Sequence, residues 1–134
     1  MFAVLDAFKP HAHWLLRVSL ASVSGFHGIG KLANVTGFAE MMGLPVVVVA
    51  LVTFAEIAAA IGFIVGGFGR ELVTRLASVA LIPVLIGAIV LVHGPRWSFV
   101  PAEGYPMGGM EFQVVLLLVS VYLLIVGNSN PERA

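Results

Sequence analysis

Residues 112–126 read FQVVLLLVSVYLLIV, a run without a charge and without alternation between apolar and polar positions. Its reading decides the fold. A strand of a membrane barrel alternates with period two over about ten residues, and this run does not. Inside hydrocarbon every backbone N–H and C=O must be satisfied within its own segment, so such a run is a helix. Counted from Met110, it approaches the ~20 residues that cross a bilayer.

Three more apolar runs lie upstream, over residues 13–32, 44–66 and 72–92. The second contains PVVVVALVTFAE, whose strand propensity is high, but a lipid solvent overrides it. Breakers separate the runs. Residues 34–45 hold Asn34, Gly37, Gly43 and Pro45, residues 66–70 are glycine-rich, and residues 94–109 carry Pro95, Pro101 and Pro106. Pro83 falls inside the third run and predicts a kink there rather than an end.

Composition agrees with lipid as the main solvent. Of the 134 residues, 60% are hydrophobic and 10% are charged, against about 25% charged in soluble domains. A soluble chain this short has too much surface for its volume to hide so much apolar area. Charge sums to zero, which leaves no basic face for nucleic acid. The absence of cysteine excludes a thiolate nucleophile, disulfide exchange and iron–sulfur ligation by this chain. Arg17 interrupts the first run and Lys31 follows it closely, so that run reads as a retained helix rather than a cleaved leader.

The expected fold class is therefore all-α, a four-helix transmembrane bundle forming a single domain over residues 1–134. Four crossings place Lys9, Arg17, Arg70, Arg75 and Arg133 on one side, and Lys31 and Arg96 on the other. The positive-inside rule then puts both termini in the cytoplasm.

Charge at hydrocarbon depth costs roughly 2.5–3.5 kcal/mol per residue on insertion scales, so the ionisable residues in these runs mark the site. At about 100° per residue, Arg17, Ser24, His27 and Lys31 share an arc of roughly 80° on the first helix. They face either the bundle interior or, at the two ends, the headgroups by snorkelling. Glu56 sits near the middle of the second helix and needs a proton or a cation, with Arg17, His27 and Lys31 as candidates. A structural ion pair that only locks two helices is the alternative to a site role. Small residues around it, including Gly62 and Gly66, predict close helix approach. His93 closes the third run and Glu111 opens the fourth, both at the outer end where His27 and Lys31 arrive. Glu111 is also favoured there by the helix dipole alone.

The chemistry of such a cluster is bounded. Lys31, His27 and Arg17 attract an anion or polarise a carbonyl oxygen, and histidine beside a carboxylate relays protons near neutral pH. A quinone needs both functions, and Phe26, Phe54, Phe63 and Trp97 are candidate walls for its ring. A metal is the rival, with His27, His93, Glu56 and Glu111 as adequate ligand types. No tight spacing within a helix supports it, and no paired axial arrangement supports haem. Neither group is expected.

Arg17 followed by Gly25-Phe26-His27-Gly28-Ile29-Gly30-Lys31-Leu32 resembles the first-helix signature of the DoxX family. The likeness continues through Gly43-Leu44-Pro45, Glu56 with Gly62, Gly66 to Arg70, Arg75, His93, and Gly109 with Glu111. It implies a small four-helix membrane protein of a bacterial or archaeal inner membrane, similar to the membrane subunit of a thiosulfate:quinone oxidoreductase. The chain has no redox-cofactor motif, so electrons would come from a bound small molecule or a partner subunit. The leading expectation is a quinone-interacting membrane subunit of an oxidoreductase. In it His27, Lys31, Glu56 and Glu111 act on the substrate, a quinone or a small anion. Arg17 and His93 assist in binding, with Arg17 balancing Glu56. A non-catalytic anchor within a larger membrane or redox complex is the alternative. A small transporter is a third reading, weakened by the absence of an internal repeat.

Overall fold

The computed structural model describes residues 2–128, whose regular elements are helices, with no strand among the described residues. The elements are α1 (Ala3–Asp6), a 3-10 turn over Lys9–His11, α2 (His13–Leu32), α3 (Val35–Met42), α4 (Val46–Gly67), α5 (Glu71–Ala88) and α6 (Glu111–Val126). A π-helical turn, Ile89–His93, extends α5. The four apolar runs thus become α2, α4, α5 with its extension, and α6. The helix passes through Pro83 rather than stopping at it. Its widened last turn ends where the Gly94 amide donates to the Ile89 carbonyl at 2.7 Å. Of these helices, Val46–Gly67 and Glu71–His93 are long and apolar enough to cross a membrane. Arg133 lies outside the described residues.

One segment read as an interruption is a helix. Asn34 caps α3 by accepting the Gly37 amide at 2.9 Å. The other end closes in a Schellman turn. Gly43 adopts φ 63°, and the Leu44 amide returns to the Ala39 carbonyl at 3.0 Å. Pro45 then starts α4. Breaker residues therefore bound a two-turn helix here, because Asn and Gly cap a helix as readily as they interrupt one.

Neighbouring helices run antiparallel. Trp14 covers Gly67 while Gly28 faces Ile57, which opposes α2 to α4. Gly62 faces Ala77 and Gly66 faces Thr74, which opposes α4 to α5. Gly127 meets Glu71 and Gln113 meets His93, which opposes α5 to α6. Only a light contact joins α6 back to α2. The glycines set the separations. A Cβ at Gly62 would stand 2.8 Å from the Ala77 Cβ, and one at Gly66 would stand 2.8 Å from the Thr74 amide nitrogen. The small-residue pattern on α4 is thus consumed within the chain, against α5.

Leu20, Ala59, Phe63, Ala77, Leu81, Leu85, Leu116 and Leu123 form the buried core. Leu15, Val18, Phe26, Leu51, Phe54, Ile61, Leu118 and Ile125 lie exposed on the outer faces. That inversion is what a lipid solvent allows, since no aqueous penalty falls on an apolar exterior.

Candidate functional site

The charged residues of α2, α4, α5 and α6 gather at two levels. At one end, α2 begins where α4 and α6 finish and α5 starts. Arg17 is buried there with no exposed surface. Its Nε donates to His13 Nδ1 at 2.9 Å. One Nη donates to the Phe63 carbonyl at 3.1 Å and Thr74 Oγ1 at 2.7 Å. The other donates to the Gly127 carbonyl at 3.1 Å and to Asn128 Oδ1. All five N–H groups of the guanidinium are used. Asn128 also donates to the Gly66 carbonyl at 2.7 Å. The acceptors include carbonyls at the C-terminal ends of α4 and α6, where the helix dipole favours a cation. Arg17 neither snorkels nor balances Glu56, from whose partner it is separated by about 21 Å along the helix axis.

Glu56 is neutralised by Lys31 instead. The ammonium lies 2.8 and 2.7 Å from the two carboxylate oxygens, and the side chains are only 12% and 9% exposed. Gly28 makes this possible. A Cβ there would come within 2.7 Å of Ile57 Cγ1 and 3.2 Å of the Ile57 amide nitrogen, so only glycine lets α2 approach α4 this closely. Lys31, one turn further on, then meets Glu56 from the side. The ring of Phe38 on α3 closes over it, with Nζ 5.4 Å from the centroid. Glu56 belongs to the inward row of α4 with Val49, Thr53, Ala59 and Phe63, all buried. Thr53 satisfies its own hydroxyl on the Val49 carbonyl.

His93 occupies the same end from α5. Its ring lies 3.1 Å from the Gly108 carbonyl through Nδ1 and 3.0 Å from Gln113 Nε2 through its own Nε2. The carbonyl can only accept, so Nδ1 carries the proton and Nε2 accepts from the Gln113 amide. This pins the long loop and the start of α6 to the end of α5. Gln113 Oε1 is buried and has no partner among the described residues. His27 lies on α2 one turn before Lys31. Its ring packs edge-on to Phe26 at 5.6 Å and remains exposed. Lying at the edge of the polar arc, about 80° round from Arg17, it points out of the core while Arg17 and Ser24 point in. Glu111 opens α6, half-buried, with no side-chain hydrogen bond or ion pair among the described residues.

The structure therefore joins Lys31 to Glu56, leaves His27 exposed one turn before Lys31, holds His93 on Gly108 and Gln113, and removes Arg17 to the opposite end. Among the described residues, no three histidines or carboxylates stand together as metal ligands. Gln113, Phe38, Thr74 and Asn128 were not legible as partners. Gln113 carried a weak signal, being the sole amide in an otherwise apolar helix. Thr74 and Asn128 carried none, since their importance comes from the arginine they meet.

These features define an all-helical membrane protein with a buried lysine–glutamate pair and two histidines near one end of the helices. The chain belongs to the DoxX family, whose model, described as DoxX, matches residues 12–94. It is similar to the protein named "Putative oxidoreductase CatD" of Bacillus subtilis (strain 168), at 32% identity over 117 residues, covering 85% of this chain and 78% of the relative. No solved structure matches it.

Proposed function

We propose that the chain is a multi-pass inner-membrane subunit of an oxidoreductase system. Its four long helices cross the bilayer with both termini cytoplasmic. It binds a quinone, or a small anion, in the outer half of the bundle. The single observation that carries this reading is the nearly buried Lys31–Glu56 pair, with His27 one turn before Lys31 on α2 and without a hydrogen-bond partner among the described residues. Lys31 and the free ring N–H of His27 offer donors to a carbonyl or anionic oxygen. Glu56 holds the lysine in place and can take up or release a proton as Lys31 turns toward a ligand. His93, locked by Gly108 and Gln113, positions the mouth of the site, and Glu111 supplies a second carboxylate there. Arg17 serves this reading from a distance by tying the start of α2 to the ends of α4 and α6 and the start of α5. The resemblance to oxidoreductase membrane subunits and the name of the relative support the redox assignment.

The anchor reading loses its main sequence argument, since Gly28, Gly62 and Gly66 pack against this chain's own helices rather than lying free for a partner. The test is quinone retention. Protein purified from membranes in mild detergent is extracted and analysed for bound quinone, and a short-chain quinone is titrated back in. The expected result is about one quinone per chain, reduced at least tenfold in Glu56→Gln and in Lys31→Met, with helicity retained. Absence of bound quinone together with no saturable rebinding refutes the proposal.

A further inference from the structure

The geometry points to a second site, independent of the Lys31–Glu56 pair. It is a groove at the Arg17 end that takes the phosphate headgroup of an anionic phospholipid from the cytoplasmic leaflet. The groove has a volume of about 220 Å³ and runs between the turn Lys9–His11, the start of α2 and the end of α6. Its lining includes the polar Lys9, His13 and Asn128 together with Leu16, Tyr122 and Val126. A groove lined by both polar and apolar side chains suits a phospholipid, which offers a charged headgroup and the first carbons of its acyl chains.

Charge argues for the sign of the ligand. At this end Asp6 pairs with Lys9 and Glu71 pairs with Arg75. Among the described residues, that leaves Arg17 and Arg70 without a carboxylate. Arg17 is fully buried, with only neutral acceptors around it. Its charge is met by hydrogen bonds and by the C-terminal ends of α4 and α6, with no carboxylate among the described residues, and it lies directly behind His13 and Asn128, which both touch it and line the groove. A cation surrounded by low dielectric acts over a longer range than one in water. The Asp6–Lys9 pair is exposed and worth little, so Lys9 is free to turn to a better anion.

His13 adds a directed donor. Its Nδ1 accepts from Arg17, so the neutral ring carries its proton on Nε2. That N–H has no partner among the described residues and suits a phosphate oxygen. Trp14 and Phe68 pack edge-to-face at 5.0 Å at the same end, and Phe2, Leu5 and Phe8, which precede Lys9 in the chain, are exposed. Aromatic residues at one level of a membrane protein mark the headgroup region, which is the depth a phospholipid phosphate occupies.

The test uses the full chain, delipidated in mild detergent. Phosphatidylglycerol, phosphatidylcholine or inorganic phosphate is then added, with native mass spectrometry and the thermal midpoint as readouts. Phosphatidylglycerol is expected to give one adduct per chain, at least tenfold tighter than phosphatidylcholine, and to raise the midpoint by several degrees. Lys9→Glu is expected to weaken that adduct at least fivefold. Lys9 is exposed and, among the described residues, pairs only with Asp6, so this variant is expected to fold. Val126→Trp fills the groove without changing charge and is expected to abolish the adduct. Equal retention of the two lipids overturns the proposal, as does an unchanged adduct in Lys9→Glu. Displacement of phosphatidylglycerol by millimolar phosphate overturns the lipid assignment and makes the groove a site for the free anion.

Discussion

Gly28 lies against Ile57 so closely that an added Cβ would be 2.7 Å from its Cγ1, and this contact fixes where Lys31 meets Glu56. The register of α2 on α4 is set by the absence of a side chain, and the ion pair is its consequence. Gly28→Ala is expected to push the helices apart, costing about 1–3 kcal/mol as overpacking does. Gly30→Ala, where open space surrounds the position, serves as the control and is expected to change little. Thermal unfolding of both variants in the same detergent checks this.

Removing one half of the pair is expected to be worse than removing both. Glu56→Leu leaves a largely buried ammonium unpaired, with a cost of about 3 kcal/mol. Lys31→Met with Glu56→Leu removes the charges together and is expected to recover most of that loss. A double-mutant cycle read by thermal midpoint measures the coupling. Additive losses would show that the two side chains act separately.

Arg17 is expected to resist conservative replacement. Lysine has three donors on a point charge and cannot reproduce a planar fork serving His13, Phe63, Thr74, Gly127 and Asn128. Arg17→Lys is expected to cost at least about 2 kcal/mol, because buried acceptors lose their partners. Limited proteolysis should then cut first near the end of α6, which the arginine holds through Gly127 and Asn128.

Gly66→Ala is expected to separate α4 from α5, since its Cβ would stand 2.8 Å from the Thr74 amide nitrogen and 3.1 Å from its Cα. Backbone atoms cannot swing aside as the end of a side chain can. Gly87→Ala has no such neighbour and is expected to be neutral or slightly stabilising. Yields of folded protein after membrane extraction compare the two directly.

His93→Leu is expected to release the long loop without unfolding the helices. It removes the Gly108 bond and strands the Gln113 amide, whose oxygen already lacks a partner among the described residues. Hydrogen exchange should rise across residues 94–110 and the first turn of α6. Exchange in α4 should stay as it is.

The four apolar runs were legible because helix formation in lipid is a local requirement. Each segment must satisfy its own backbone, and composition over about twenty residues reports whether it can. Residues 13–32 therefore coincide with α2, and the other three runs match their helices to within two residues at each end. The stretch 34–45 misled because a capping residue and a breaker are the same residue types, and only the hydrogen bonds of Asn34 and Gly43 tell them apart.

The sequence by itself determined that the chain is helical, apolar outside, and obliged to neutralise a carboxylate at Glu56. It narrowed the neutralising group to Arg17, His27 and Lys31 and went no further. Tertiary structure alone decided for Lys31, sent Arg17 to neutral acceptors at the far end, turned His27 outward and brought Gln113 to His93. The physical reason is that periodicity along one helix fixes angles about its own axis. Which residues meet across two helices depends on their relative sliding and separation, and those are set by close contacts such as Gly28 on Ile57, between residues distant in the chain.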